Sequence, residues 1–358
     1  MLKITAPFRE KSEVMPLIEA GTDELYCGYL PGEWKREFTD LEFERKGRGC
    51  NFTDLKKLSE AVDLAHEKNI PVFLTLNGLY VKEQYPLLLK IIKDLEKTAL
   101  DAYIVADIGL ILTLRRMKTS KEIHISTGGT VFNSESTDFY KDLGASRVIL
   151  DRQVTLDAIK ALSESHPSID FEVFILNTLC VFIDGFCTFL HTYGRDSIER
   201  VDSGGGDEKT VIMTAYDPAA QGDACSLEYS VETCELSIGE KKTGSSVSPT
   251  FFKRRLDGTE CGACALYDIS RTKTKSVKIV GRQLSSQSRL RGTRFIRRSL
   301  DILEGDKGIS RAGYMKEVQR FYRETFDYKG VCRGNNCYHP SVLNRLEQES
   351  AKAVSAQK

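Results

Sequence analysis

The stretch Asp101–Thr127, DAYIVADIGLILTLRRMKTSKEIHIST, reads as a complete strand–helix–strand unit. Ala102–Val105 is a short apolar run of the kind buried strands use, Gly109–Met117 has helical spacing, and Glu122–Ser126 is a second strand. Two strands joined through one helix lie parallel, because a parallel pair needs a long crossover. The same alternation continues upstream, with strands at Leu2–Ala6, Glu24–Cys27 and Val72–Leu76. Between them fall a helix at Ser12–Ala20, stopped by Gly21, a helix at Asp54–Lys68, and the helical spacing of Leu88, Ile91, Ile92 and Leu95. Downstream come a helix at Ser134–Leu143, a strand at Arg147–Leu150, a helix at Leu156–Ser163 and a seventh strand at Phe171–Leu176.

Seven such strands call for an eighth, and Val277–Val280 supplies it after a polar, cysteine-containing insertion. The expected fold is therefore α/β, a (β/α)8 TIM-like barrel, with a doubly wound open sheet as the alternative. The expected organisation is a barrel with strands one to seven over 1–187, the insertion over 188–275, and the last strand with closing helices over 276–330. A cysteine pair and a solvated tail occupy 331–358. The polar stretch Gly28–Cys50 is expected to be a loop that acts as lid or entrance. The tail is expected to be helical from Ser299 to about Phe326.

Composition narrows the function. The chain has 358 residues, 41% hydrophobic and 28% charged, with Lys+Arg 51 balancing Asp+Glu 51. No global field draws it to nucleic acid or to anionic lipid, so any such binding is local. No apolar run approaches the roughly 18 residues of a membrane helix, and MLKITAPFREKSE lacks the pattern of a secretory leader. A cytoplasmic protein without membrane contact is expected. Ten cysteines in that compartment point to metal ligation or redox chemistry rather than disulfides. Cys27 and Cys50, which stand alone, read as small buried hydrophobes.

Parallel barrels carry their chemistry at the carboxyl ends of the strands. The residues there are Cys27, Asn77, Asp107, Ser126 with Thr127, Asp151 with Arg152, Asn177 leading to Cys180, and Gly281 with Arg282. Asp107 and Asp151 read equally well as helix caps. The others make a polar pocket in which Asn77, Ser126, Arg152 and Arg282 are the candidate substrate-binding residues. The run FEVFILNTLCVFIDGFCTFL, Phe171–Leu190, adds Cys180 and Cys187 across a turn at Gly185. Cys225, with Cys261 or Cys264, would complete a set of four thiolates for an iron–sulfur centre. Cys261-Gly-Ala-Cys264 equally has the spacing of a zinc knuckle, so zinc is the alternative metal. Cys332 and Cys337 either join a second centre or clasp the tail. Six arginines between Gly281 and Arg298, with no acidic residue among them, suit anions, although a solvated helix face accounts for half of them. His124 lies within a strand and reads as a core residue. The sequence contains no nucleophile elbow, zinc-protease helix motif or phosphate loop.

These motifs resemble those of the collagenase-like peptidase family U32. The resemblance rests on EAGTDELYCG (19–28), TLN (75–77), AYIVADIG (102–109), HISTGG (124–129), GASRVILDRQVTL (144–156), the Leu179–Cys180 to Cys187 signature and VKIVGR (277–282). It implies a barrel enzyme with a 4Fe-4S cluster on four cysteines, in a family whose members include oxygen-independent hydroxylation proteins for tRNA, ribosomal RNA and ubiquinone. Cys180 and Cys187 match two ligand positions. The implied function is hydroxylation or modification of an RNA base, or of a small aromatic or anionic substrate. The alternatives are a peptidase and a non-catalytic, cluster-bearing subunit bound to a partner protein. Asn177 and Thr178 stand where the signature has Gly and a small residue, Phe189 and Leu190 where it has an aliphatic residue and Ser. Gln153 and Val280 each stand where it has Glu. These departures mark a divergent subgroup.

Overall fold

The apolar runs of the sequence become strands, and most are followed by an amphipathic helix. A computed structural model describes residues 1–38, 50–180, 182–187, 259–327 and 336–342, and the backbone of 231–237 and 240–246. The strands are β1 (Lys3–Pro7), β2 (Glu24–Gly28), β3 (Val72–Leu76), β4 (Ala102–Val105), β5 (Glu122–Ile125), β6 (Arg147–Ile149) and β7 (Asp170–Leu176). A hairpin of β8 (Val231–Ser237) and β9 (Glu240–Ser246) and then β10 (Ser276–Ile279) complete the set. β10 inserts between β7 and β1, with Ser276 opposite both Lys3 and Glu172, and this closes a parallel eight-stranded barrel. The eight-stranded barrel is thus the fold; an open sheet would leave β1 and β7 as edges.

The chain divides into two compact units, described separately. One comprises Met1–Glu44, Arg48–Cys187 and Leu256–Lys358; the other comprises Arg45–Gly47 and Thr188–Arg255 and contains the antiparallel β8–β9 hairpin. Residues 259–275, expected in the insertion, belong to the barrel unit.

The helices before the last strand are α1 (Val14–Glu19), α2 (Gly32–Glu37), α3 (Leu55–His66), α4 (Tyr85–Leu95), α5 (Ile108–Met117), α6 (Ser134–Asp142), α7 (Leu156–Ser165) and α8 (Leu266–Ile269). After it come α9 (Ser286–Gly305) and α10 (Arg311–Phe326). In α3 and α4 the buried residues are those that the spacing selects: Leu58, Ala61, Val62 and Ala65, then Leu88, Ile91, Ile92 and Leu95. Two expectations change. The stretch after β2 opens with helix α2, anchored by a fully buried Trp34 packed against Phe38 and Tyr80; residues 39–49 of the expected lid lie outside the described residues. Helix α9 starts at Ser286 rather than Ser299, because the arginine run is itself amphipathic. Arg289 is buried and paired with Glu13, while Arg291, Arg294 and Arg298 face outward.

The barrel interior has two layers. Near the amino ends of the strands, Thr5, Glu24, Arg147, Glu172, Ser276 and Lys278 form a buried ionic floor. Above it lie Tyr26, Phe73, Ile104, Ile149, Phe174 and Val280. Val280, where the family signature carries Glu, belongs to this apolar layer. His124 is buried with its ring 4.7 Å from Phe73, as expected of a core residue.

Asp107 is a helix cap. It accepts the Leu110 N–H at 2.6 Å, the Tyr80 N–H at 3.2 Å and the Tyr85 hydroxyl at 3.0 Å. Asp107→Ala is expected to lower stability by about 1–2 kcal/mol, read from the urea midpoint, since it removes a cap that also ties two loops together.

Candidate functional site

Beyond β7 the chain turns through Asn177 and Thr178, both left-handed at φ 65° and 51°. A β-branched threonine rarely adopts that backbone, so its neighbours must hold it there. The Asn177 amide donates to the Val280 carbonyl at 3.0 Å, its N–H donates to Glu260 at 2.9 Å, and its carbonyl accepts the Tyr338 hydroxyl. The family signature has glycine or a small residue at these two positions, and the conformation is one glycine adopts without strain. Here the side-chain amide of Asn177 helps to hold it.

The corner aims the Thr178 carbonyl at Arg152, whose Nε donates to it at 3.1 Å. The Arg152 side chain is 6% exposed; its Nη1 meets Asp184 Oδ2 at 2.7 Å and its guanidinium lies 4.2 Å over the Phe174 ring. Asp184 also accepts the Thr127 hydroxyl, and its own N–H donates to Asp151 at 3.0 Å. Burial pushes the Asp151 carboxyl up, against the pull of those backbone N–H groups. Asp151 is therefore a loop anchor. Gln153 donates to the carbonyls of Cys180 and Phe182, each at 3.2 Å. Glutamate, the residue of the signature, could not donate to them when ionised, so this departure is matched to the local backbone.

Held this way, the loop carries Cys180 and Cys187 at the mouth, both half-buried. Burial raises the Cys180 thiol, and the nearby Asp184 and Cys187 charges add to that; the Phe182 N–H, 3.4 Å from Sγ, and Arg152 oppose it. A thiol so placed is neutral unless a cation shares the site, and a metal would supply that charge. Gly185 makes the loop's close approach possible. A Cβ there would lie 1.9 Å from Thr130 Oγ1 and 2.8 Å from the Gly128 carbonyl.

The other predicted residues are spread around the same end of the barrel. Ser126 is buried and caps the Gly128 N–H at 3.5 Å. Arg282 is buried, with Nη1 on Asn51 Oδ1 at 2.7 Å, and Asn77 is half-buried just after β3. Cys261 pairs through its backbone with Leu176 on one side and Cys337 on the other, and its Sγ accepts the Ala263 N–H at 3.3 Å. Cys264 is buried in the outer core with Ala263 and Leu266. Cys225 and Cys332 lie outside the described residues. Among the described residues no three His, Cys, Asp or Glu side chains converge on a single-ion position. Cys180 and Cys187 are soft donors of the kind a thiolate-ligated cluster uses, and the Cys180 thiol accepts the Phe182 N–H with the Arg152 guanidinium nearby.

The sequence reading missed Asp184 and Tyr338. Asp184 lies inside the Cys180–Cys187 segment and could have been weighed. Tyr338 is far along the chain, yet its ring is buried in the upper layer of the barrel interior beside Arg152.

Comparison with known proteins gives the same family. The model of peptidase family U32 matches residues 9–338. An uncharacterized protease of Methanocaldococcus jannaschii is 24% identical over 95% of this chain and 75% of its own. A 23S rRNA 5-hydroxycytidine synthase of Escherichia coli is 29% identical over 56% of this chain and 28% of its own. A tRNA hydroxylation protein of Bacillus subtilis is 29% identical over 54% of this chain and 43% of its own. The chain thus spans less than half the length of these two RNA-directed relatives. No helix among the described residues is long and apolar enough to cross a membrane.

Proposed function

Since the chain belongs to peptidase family U32, we propose that it is an oxidoreductase that modifies RNA by oxygen-independent hydroxylation, using a 4Fe-4S cluster. Cys180, Cys187 and Cys261 would supply thiolates to that cluster; Cys225, the fourth cysteine of the expected set, lies outside the described residues. Cys261 is preferred to Cys264 because it is half-exposed at the end of β7 and its thiol accepts an N–H two residues on, as that of Cys180 does. Bound there, the cluster supplies one-electron transfer. The observation that carries the reading is the placement of Cys180 and Cys187 on one loop at the barrel mouth, beside the buried Arg152–Asp184 pair. The names of the rRNA- and tRNA-directed relatives support the substrate class.

The chain's own residues prepare the site. Arg152 places positive charge beside Cys180 and opposes the burial that raises its thiol. Tyr338, Phe174, Ile149 and Val280 wall the upper interior, so a flat ring entering the mouth meets apolar surface and sheds water. Both mouth arginines already have partners, Asp184 for Arg152 and Asn51 for Arg282, which favours an aromatic ring over a small anion. The substrate class places the work in the cytoplasm.

Protein prepared without oxygen is expected to be brown, with about four iron and four sulfide per chain. RNA from cells lacking the gene should lose a hydroxylated nucleoside on mass spectrometry. A colourless preparation holding zinc and no sulfide would sink the cluster. The name of the M. jannaschii relative, which spans most of this chain, favours a second reading as a peptidase. Peptide cleavage that survives replacement of both Cys180 and Cys187 by alanine would establish that activity as independent of the cluster.

A further inference from the structure

Among the described residues six large apolar side chains are exposed, and four of them, Leu79, Val81, Ile108 and Phe186, follow the carboxyl ends of barrel strands. Leu79 and Val81 come after β3, Ile108 after β4 and Phe186 after β7. Their loops are joined in sequence around the mouth. The Tyr80 N–H donates to Asp107 at 3.2 Å, which couples the first loop to the second. A Cβ on Gly128 would lie 2.9 Å from Ala106 Cβ, so the turn after β5 packs on the end of β4. Gly185 in turn approaches Gly128 and Thr130, which brings in the Cys180–Cys187 loop. The four side chains therefore stand on one arc of adjoining loops, and Phe186, 75% exposed, ends it next to Cys187.

Two acids of the arc, Asp107 and Asp184, are engaged within it, and Glu83, two residues after Val81, is exposed. Asp107 caps α5, and Asp184 holds Arg152 and Thr127. The arc thus presents apolar surface at a mouth whose arginines also have partners. Four side chains separated by loop backbone fall well short of the roughly 800 Å² per partner of a stable protein interface. A single exposed aromatic face is, however, sufficient for stacking a base, and an enzyme that modifies a base must first take it out of its stack.

We propose that Phe186, flanked by this apolar arc, is the stacking platform that receives an unpaired nucleobase of single-stranded RNA. The proposal rests on the RNA-directed reading given above and names the surface that reading requires. It is tested by fluorescence anisotropy with a labelled short single-stranded oligoribonucleotide, with the same oligomer lacking its central bases, and with the intact oligomer in a duplex. Phe186→Ala is expected to weaken binding of the intact single strand by about 5- to 150-fold, the range for one lost base stack. Phe186→Tyr should keep wild-type affinity, and so should Phe139→Ala, which removes an exposed aromatic on α6 away from the arc. On the base-less oligomer and on the duplex, Phe186→Ala and wild type should bind alike. If wild type binds the single strand and Phe186→Ala binds it equally well, or if the variant loses the same factor on the base-less oligomer, the platform is refuted and the RNA reading stands. If wild type binds no single-stranded RNA, the RNA reading fails first and the platform with it. Because Phe186 lies on the surface, an unchanged melting temperature of Phe186→Ala separates a binding loss from a folding loss.

Discussion

Replacing Arg147 with alanine is expected to cost the barrel about 3–5 kcal/mol, enough to unfold a marginally stable domain at moderate urea. Arg147 is 4% exposed and bridges two carboxylates of the barrel floor. Its Nη1 and Nη2 meet Glu24 at 2.6 and 3.0 Å, and Nη1 also meets Glu172 at 3.2 Å. Lys278 reaches Glu172 at 2.7 Å. Removing Arg147 leaves Glu172 with the buried Lys278 and Glu24 with only the partly exposed Lys3, 3.1 Å away, and the penalty of an undercompensated buried charge exceeds the net value of the pair. The urea midpoint measures the loss; a change below about 1 kcal/mol would show that water enters the floor and solvates it.

The same network predicts the response to acid. Burial by itself would raise Glu172, but Lys278 and Arg147 hold it down to about 2. Glu24 is lowered as well, with Arg147 overcoming the effect of burial. A carboxyl depressed in the folded state contributes stability in full above its unfolded value near 4.5, and that contribution is lost as the pH falls toward the folded value. Stability of the wild type should therefore decline between about pH 5 and about pH 2. In Glu172→Gln that part of the slope should flatten.

Cys180→Ala and Cys187→Ala, each alone, are expected to take the anaerobic protein from about four iron per chain to a small residue and to bleach its colour, because a cubane cluster rarely survives the loss of one thiolate in four. Cys264→Ala separates ligation from packing. Cys264 is buried in the apolar core with Ala263 and Leu266, so its loss should cost about 1 kcal/mol of stability and leave the iron in place. Cys261→Ala should take the iron with it. Iron that persists in both Cys180→Ala and Cys187→Ala would remove the mouth as the cluster site.

The barrel was legible because its signal is local. Helices such as α3 and α4 announce themselves by apolar spacing along a dozen residues or fewer, and β7 by an apolar run. The pair Cys180 and Cys187 was legible for the same reason: a few residues and one glycine turn bring them to the same mouth. Helix α2 was missed because Trp34, which anchors it, buries against Tyr80 from another loop. The start of α9 was missed because its arginines read as solvent-facing, whereas Arg289 has a buried partner in Glu13 at the far end of the chain.

What lay beyond the sequence was pairing at long range. Glu24, Arg147, Glu172 and Lys278 are unremarkable singly, and only barrel closure, with β10 between β7 and β1, stacks them into one neutral floor. Arg152 read as a substrate-binding residue, and the structure gives it Asp184, Thr178 and Phe174 as partners. Tyr338 enters the barrel interior from a segment with no local signal of that destination. Periodicity along the chain determined that this protein folds as an eight-fold parallel barrel and offers paired cysteines at the exit of its seventh strand. Which charges face each other, and which mouth residues are already engaged, was decided by tertiary structure alone, because strand register and loop approach are set by contacts between residues from 25 to more than two hundred positions apart.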